Sequence, residues 1–268
     1  MKPHPFYTAS NCSDPAYSLR FTWTGWLAAK SCLFPSSYVL PGDLVGRWES
    51  DELRLLEAET SGKCARVLFS VKPSLSPIII ATLAKGRLQY ELRKWLPDLS
   101  FSRKVSLRSI NSINRDQVDD YLSNQVKKDC FVDQKYRRKL DRFTWVERNA
   151  AASAPTLSRS GRYWYDLHLV FRTAFGLNFT PNHEMERIRD TLILISEKHG
   201  HRLRGYSLMP DHLHIALRGN IGWSPETIAL NYMNNLAYAM RRPIWQNGYY
   251  AGTFGDYSQR VISRLINS

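Results

Sequence analysis

Two histidines separated by one residue, His212 and His214, have a spacing that suits a metal ion. In a β-strand, residues i and i+2 project from the same face, so both imidazoles would point one way while Leu213 enters the core. Two adjacent imidazoles make half of a divalent-metal site. Pro210 and Asp211 precede the pair and indicate a turn that sets the angle of the strand. The alternative is a pair of solvated strand residues, since His-x-His also occurs by chance.

A second group with chemical potential is Tyr121 and Gln125, four residues apart. A helix would place them on one face, one turn apart, while Val118 and Leu122 bury the opposite side. A phenol is a weak nucleophile unless a metal ion or basic groups stabilise the charge on its target. An amide oxygen is a suitable ligand for magnesium or manganese. The alternative is an amphipathic helix with an ordinary surface tyrosine and glutamine.

The segments that would position these groups recur along the chain with an offset of 148 residues. The recurring pairs are Tyr17 and Tyr165, Ser76-Pro77 and Ser224-Pro225, Tyr90 and Tyr238, and Arg93 and Arg241. Tyr17 and Tyr165 each open an alternating, strand-like segment. Each Ser-Pro dipeptide opens a helix, with serine as the N-cap and proline at the first helical position. Four pairs in one register predict two copies of one small domain.

Each copy is predicted to contain a strand, a helix, a strand, the Ser-Pro helix, a short extended stretch and a final helix. In the second copy, a helix with apolar residues from Met185 to Ile195 ends at His199, and one strand runs from about Leu203 to Leu217. In the first copy, the equivalents are a helix over 41–56 and a strand over 65–71.

This order predicts an α+β fold made of two tandem copies of a domain in which helices pack on an antiparallel sheet. The predicted boundaries are an N-terminal tail over 1–14, the first copy over 15–128, a solvated basic linker over 129–160, and the second copy over 161–268.

The composition is that of a folded, basic protein. Of 268 residues, 43% are hydrophobic, and the formal net charge is +13. Such a surplus favours a polyanionic partner, most commonly nucleic acid, and aromatic side chains could stack on unpaired bases. Four scattered cysteines argue against a zinc knuckle and a disulfide scaffold. With no apolar run that could span a bilayer and no secretory signal, we expect a cytoplasmic location without membrane contact.

Two motifs resemble those of a known family. The segment Met209-Pro-Asp-His-Leu-His214, followed by apolar residues, resembles the HUH motif of single-strand DNA transposases with one catalytic tyrosine. That family includes insertion-sequence and REP-associated tyrosine transposases. The pattern Val118-x-x-Tyr-Leu-x-Asn-Gln125 is similar to the closing helix of the family, and His168 fits its first strand. The resemblance covers residues 163–268 well and 17–128 more faintly.

The resemblance implies roles for particular residues. It makes Tyr121 the nucleophile and Gln125 a third metal ligand beside His212 and His214. The implied cofactor is Mg²⁺ or Mn²⁺, and the implied partner is single-stranded DNA with hairpins. Members of the family work as dimers, in which the histidines of one subunit can face the tyrosine helix of the other.

Each copy lacks the candidate site residues that the other copy retains. At the offset of 148, Cys64 and Arg66 occupy the positions of the histidine pair, and arginine does not bind metals. In the second copy, Arg264 and Ser268 stand where the first copy has its tyrosine and glutamine. We therefore expect a pseudo-dimer within one chain, which allows a monomer in solution. Rival nucleophiles, ranked lower because they precede the final helix, are Tyr249, Tyr250 and Tyr257.

The predicted function is metal-dependent nicking and strand transfer of single-stranded DNA through a 5′-phosphotyrosine, at one composite site. One alternative is a non-catalytic, domesticated transposase relative that binds DNA or RNA hairpins. Another is a metal-dependent hydrolase that uses the histidine pair alone. The first alternative predicts that nucleic-acid binding survives the loss of Tyr121, and the second predicts that turnover survives it.

Overall fold

The computed structural model describes residues 4–28, 30, 31, 33, 34, 39–128, 134–147 and 154–256. Within them there are seven helices and twelve strands, and the strands form two six-stranded, mainly antiparallel sheets. The elements up to residue 128 are β1 (Ala16–Ser18), β2 (Arg20–Leu27), α1 (Gly42–Ser50), β3 (Leu53–Ser61), β4 (Cys64–Val71), α2 (Pro77–Arg93), β5 (Phe101–Ile110), α3 (Arg115–Ser123) and α4 (Gln125–Lys128).

The remaining elements are α5 (Gln134–Asp141), β6 (Thr144–Val146), β7 (Thr156–Leu157), β8 (Gly161–Trp164), β9 (Asp166–Arg172), α6 (Asn182–Lys198), β10 (Arg202–Leu208), β11 (His212–Arg218), α7 (Pro225–Met240) and β12 (Tyr250–Phe254). The first sheet has the order β3-β4-β2-β5-β8-β7, and the second sheet has the order β1-β12-β9-β11-β10-β6. The structure is thus α+β, as predicted.

Each sheet is extended by the other half of the chain: β1 joins the second sheet, and β8 with the short β7 joins the first sheet. Strand β1 pairs in parallel with β12 in the second sheet, and β8 pairs in parallel with β5 in the first sheet. Only Leu19 separates β1 from β2, and only Tyr165 separates β8 from β9. One extended segment of each half therefore enters both sheets, and backbone hydrogen bonds join the two halves.

Strand pairings in the two sheets correspond, with an offset that differs between strands. Ala16 pairs with Tyr250 of β12, and Arg162, which is 146 residues after Ala16, pairs with Ser106 of β5. The register shift of β3, between Leu55 and Glu57, lies 148 residues before that of β10, between Leu203 and Gly205. A bulge bends its strand and increases the local twist, so both sheets are bent at corresponding places.

The registers of the two hairpins agree with the predicted correspondence of the histidine pair. Glu59 lies opposite Arg66 in the β3–β4 pairing, and Ser207, which is 148 residues after Glu59, lies opposite His214 in the β10–β11 pairing. Arg66 therefore occupies the position of His214, and Cys64 occupies that of His212.

The predicted match of Tyr17 with Tyr165 is corrected. Tyr165 is the single residue between β8 and β9, and Leu19, not Tyr17, is the single residue between β1 and β2. The reason is that pairing with neighbouring strands, not chain distance, sets register.

Helix ends with clear capping signals were predicted best. Ser76 and Ser224 cap α2 and α7, each accepting from the backbone amide three residues later, which confirms both Ser-Pro helices. The predictions of α6 and β4 are confirmed as well. The single strand over 203–217 was wrong: a turn at Met209–Asp211 divides it into β10 and β11.

The helix predicted over 41–56 ends early. Helix α1 stops at Ser50, and Glu52 adopts a positive φ of 67°, after which β3 begins at Leu53. A left-handed residue cannot continue an α-helix. The sequence prediction therefore missed β3 and did not divide β10 from β11, whereas it recognised the second strand of both hairpins. It also missed the short strands β6 and β7 in the predicted linker.

The segments predicted as tail and linker contribute to the packing. Tyr7 is buried, and its hydroxyl accepts from the backbone amide of Trp245 at 2.7 Å. In the segment predicted as a linker, Leu140 and Phe143 are buried, and β6 extends the second sheet beside β10. No helix in the described part of the chain is long and apolar enough to cross a membrane.

Candidate functional site

The helix that carries Tyr121 begins at a well-formed cap. The Asn114 side chain accepts from the backbone amide of Gln117 at 3.0 Å, and the Gln117 side chain accepts from the amide of Asn114 at 2.9 Å. This reciprocal arrangement satisfies two amides that a helix start leaves without partners. Asp116 in the first turn adds a negative charge at the positive end of the helix dipole.

Helix α3 packs on the second sheet, which belongs mostly to the other half of the chain. Val118 and Leu122 are fully buried, as predicted, and pack with Ala216 of β11 and Phe254 of β12. Helices α6 and α7 contact the same sheet through a separate group of core residues. The face of β11 that carries His212, His214 and Ala216 is therefore the face that α3 covers.

A glycine on β10 permits this close approach. A methyl group built at Gly205 would lie 3.0 Å from Leu122 Cδ1 and 3.0 Å from the carbonyl oxygen of Trp145. Contacts of that length are tighter than most real Cβ contacts, so a side chain here would force Leu122 or the backbone of β6 to shift by a few tenths of an ångström.

Buried ion pairs anchor the start of α3. Arg115 approaches Asp166 of β9 at 3.7 Å and also pairs with Asp256. Asp166, which is 1% exposed, accepts two hydrogen bonds from the Arg218 guanidinium at 2.9 and 2.8 Å. A bidentate arginine–carboxylate pair has a fixed geometry, so this cluster holds α3 in one position along the sheet.

The histidines line the covered face. His168 and His214 are buried, and His168 Nε2 lies 3.1 Å from His214 Nδ1. His212 is partly exposed, and its Nδ1 lies 2.6 Å from Asp211 Oδ1. The rings of His212 and His214 are perpendicular, with centroids 4.7 Å apart. Burial lowers the pKa of His168 to about 4, so this imidazole is neutral at physiological pH.

The ring of Tyr121 contacts the rings of His214 and His168. Its ring centroid is 5.2 Å from that of His214 and 5.9 Å from that of His168, and both contacts are edge-to-face. The side chain is 38% exposed, so a substrate can reach it from solvent. The structure thus brings a tyrosine of the first half and histidines of the second half together on one face.

Gln125 is placed differently from the prediction. Helix α3 ends at Ser123, and Gln125 begins the separate turn α4, because the Asn124 side chain bonds to the carbonyl of Asp120 at 2.8 Å. Gln125 is buried, and its Nε2 donates to the carbonyl of Tyr121 at 3.2 Å. In the described residues, no hydrogen bond links Gln125 to either histidine of the pair.

The imidazole pair suits a divalent ion by its donor arrangement. His212 and His214 each direct Nδ1 to a neighbouring side chain, as metal-binding histidines do when their other nitrogen is the ligand. Among the residues that the structure describes, no group of three or more His, Cys, Asp or Glu side chains could hold a metal ion. An amide or water oxygen would have to complete such a site.

The rival tyrosines occupy poorer positions. Tyr249 is buried, and burial raises the pKa of its hydroxyl. Tyr250 lies on the histidine face, with its ring 6.1 Å from His168, and burial raises the pKa of its hydroxyl as well. A raised pKa reduces the share of the nucleophilic phenolate. Tyr257, like Arg264 and Ser268, lies outside the described residues.

Two polar residues of this face were not assigned to the site from sequence. Arg172 is exposed and lies opposite His212 in the β9–β11 pairing, and Asp211 holds the His212 ring. The turn expected at Pro210 and Asp211 could have identified Asp211 as a neighbour of His212, because a residue in a turn does not follow strand alternation. Arg172 could be found only once β9 and β11 were known to be adjacent, since sequence separation hides such pairs.

A half-buried carboxyl on α3 should make stability depend on pH. Burial raises the pKa of Asp119 to about 6, although Arg204 and Arg115 act in the opposite direction and Asp116 and Asp120 reinforce it. The unfolded value is about 3.9. Between these values the folded state binds more protons than the unfolded state, so this group lowers stability as pH rises from about 4 to about 6.

We therefore expect Asp119→Asn to reduce the loss of stability between pH 4 and pH 7. Urea unfolding at four pH values would measure the free energy of unfolding across this window. Asp98→Asn, at an exposed position that does not act on Asp119, is the control and should keep the wild-type pH dependence. A parallel pH dependence for Asp119→Asn and the wild type would contradict the prediction.

Comparison with known proteins gives one match. Residues 162–268 match the family model described as "Transposase IS200 like". None of the curated proteins matches the chain. The matched segment is less than half of the chain and contains both histidines of the pair, but not Tyr121. The part of the chain that supplies the histidines is therefore similar to the IS200-like transposases.

Proposed function

We propose that the protein nicks single-stranded DNA and transfers the strand through a covalent bond to Tyr121, at one site shared by its two halves. The observation that carries the proposal is the contact of the Tyr121 ring with the His214 ring at 5.2 Å. The transposase match of residues 162–268 and the net charge of +13 support a DNA substrate.

Each side chain of the site has a role in this reaction. The Tyr121 oxygen attacks the scissile phosphorus, the bond to the 3′ oxygen breaks, and the strand keeps a 5′-phosphotyrosine. The phenol loses its proton, and the departing oxygen gains one to become a 3′-hydroxyl. Arg172, exposed beside His212, is suited to bind a phosphate oxygen. His168 and Asp211 orient the rings of the histidine pair.

We propose that His212 and His214 hold Mg²⁺ or Mn²⁺, and that the Gln125 amide oxygen is the third protein ligand. When bound, such an ion supplies Lewis-acid polarisation of the phosphate. The engaged Nδ1 atoms of both histidines support the first part. For Gln125, the supporting facts are its burial at the end of α3 and its bond to the carbonyl of Tyr121.

We further propose that the two halves are copies of one domain that form a pseudo-dimer. Support comes from the exchanged strands β1 and β8, the corresponding bulges in β3 and β10, and the two Ser-Pro helices. Cys64 and Arg66 stand at the positions of the histidine pair, and arginine does not bind metals. The first sheet would then lack a second site of this kind.

Metal dependence tests the reaction directly. The protein is incubated with single-stranded DNA containing hairpins, first with Mn²⁺ or Mg²⁺ and then with a chelator, and separated on a denaturing gel. We expect a covalent protein–DNA adduct only when the metal is present, because a phenol attacks an unpolarised phosphate very slowly. DNA binding without an adduct under any metal condition would favour the non-catalytic hairpin binder instead.

A further inference from the structure

A cavity of about 320 Å³ lies between α2 and the strands β5 and β8 of the first sheet. Its walls carry two cationic side chains, Lys85 of α2 and Arg103 of β5. Every residue that lines the cavity belongs to the described part of the chain, and none of them is acidic. Cations that share a concave site without a carboxylate favour an anionic ligand.

The two cations of this cavity lie close together. The Lys85 ammonium donates to the backbone carbonyl of Ser102, the residue before Arg103, at 2.8 Å. Burial, followed by the charge of Arg103, lowers the pKa of Lys85, and among the described residues no carboxylate counteracts this effect. An ammonium and a guanidinium each have several donors. Because Arg103 is exposed and Lys85 is half-buried, an anion can enter from solvent and bind both.

The second half of the chain shows that the fold does not need a lysine at this position. Lys85 and Met233 each lie nine residues after the serine that caps their helix. Met233 is fully buried in the core of the second half. A half-buried ammonium that faces another cation costs stability, because burial and like charge both oppose the charged form. The presence of Lys85 is therefore better explained by a ligand than by packing.

The residue after Lys85 leaves the cavity open. A methyl group built at Gly86 would have no atom within 4 Å, so the space above this turn of α2 is accessible. At the equivalent position of α7, the Asn234 side chain accepts from the backbone amide of Tyr7 at 2.9 Å and donates to its carbonyl at 2.7 Å. The N-terminal segment thus covers α7 at the place where α2 borders the cavity.

We propose that this cavity holds one backbone phosphate of a single-stranded DNA molecule between Lys85 and Arg103. The inference rests on the proposed function in one respect, since it takes DNA to be the substrate. The net charge of +13 favours a polyanion over a single small anion. The cavity belongs to the first sheet, whereas Tyr121 lies on the second sheet, so the site anchors the strand away from the reacting phosphate.

DNA binding in the presence of a chelator tests this anchor without the reaction. Fluorescence anisotropy of a labelled oligothymidine would give the affinity of the full chain over a range of salt concentrations. Lys85→Met should weaken binding about fivefold at low salt and reduce the slope of log affinity against log salt by about 0.7, the value for one phosphate contact on a single strand. Oligoadenine should show the same reduction, because a phosphate contact does not read the base.

Two further variants show whether the effect belongs to the cavity. Arg103→Gln should reproduce the loss, because Arg103 binds the same phosphate. Lys198→Met removes the same charge at an exposed position on α6 and should keep the wild-type slope. Equal reductions in Lys85→Met and Lys198→Met, or an unchanged slope in Lys85→Met, would overturn the anchor.

The fold of Lys85→Met and the source of the phosphate are checked separately. The variant should unfold at no lower urea concentration than the wild type, because methionine at this helix position removes a costly charge. A variant that unfolds earlier and binds DNA normally would show that Lys85 is structural. In nuclear magnetic resonance, shifts at Lys85 and Arg103 with inorganic phosphate but not with oligothymidine would assign the cavity to a free anion and overturn the DNA anchor.

The outcome is independent of the adduct experiment. DNA binding that depends on Lys85, in a protein that forms no adduct, would support the anchor and contradict the nicking reaction. An adduct formed by a protein whose DNA affinity is the same in Lys85→Met would support the reaction and overturn the anchor.

Discussion

Tyr121→Phe is expected to abolish the covalent protein–DNA adduct, with a loss of at least about 10³-fold in the rate of adduct formation, as for other removed nucleophiles. The substitution deletes one oxygen and keeps the ring that contacts His214 and His168. The buried contacts of α3 with the second sheet, made by Val118 and Leu122, are unchanged. The loss would therefore report chemistry and not misfolding. Denaturing gels with labelled single-stranded DNA and Mn²⁺ would measure it.

Tyr250→Phe is the matched control, because Tyr250 is the other tyrosine near His168 on the same face. It should form the adduct at close to the wild-type rate, since burial raises the pKa of its hydroxyl. An adduct that persists in Tyr121→Phe and disappears in Tyr250→Phe would assign the nucleophile to Tyr250. Turnover that survives both substitutions would instead favour a hydrolase that uses the histidines alone.

Asp166→Ala is expected to destabilise the fold by about 3–5 kcal/mol, because it leaves buried cations without their carboxylate. Asp166 is 1% exposed and pairs with Arg218 of its own sheet and Arg115 of α3. For a chain of this size the loss corresponds to a decrease of about 6–20 °C in the melting temperature. Thermal denaturation followed by circular dichroism would measure it.

Asp190→Ala provides the comparison for this loss. Asp190 pairs with Arg189 on the surface of α6 and is 61% exposed at its side chain. An exposed pair of this kind contributes about 0–1 kcal/mol, so this variant should melt close to the wild type. Similar melting temperatures for the two variants would show that the buried cluster does not anchor α3.

Some features of the fold followed from short-range chemistry and could be predicted. Ser76 and Ser224 cap helices because a serine oxygen beside a first-turn proline satisfies the free amides of a helix start. Alternation predicted that His212 and His214 share a face of one strand, and β11 places them there. Helical spacing predicted that Val118 and Leu122 are buried together.

Other features escaped prediction because competing local preferences were similar. The residues from Leu203 to Leu217 are apolar enough for one strand, and only the turn at Pro210 and Asp211 converts them into a hairpin. The helix α1 ends at Ser50 because Glu52 adopts a left-handed conformation. That conformation is uncommon for glutamate, so the sequence did not predict it.

The sequence by itself determined which residues have the chemistry: a histidine pair on one strand face and a tyrosine on an amphipathic helix with a strong cap. Tertiary structure decided that Tyr121 lies on His214, because this contact depends on distant partners. Gly205 gives α3 room, Asp166 pairs with Arg115, and β1 and β8 exchange between the sheets.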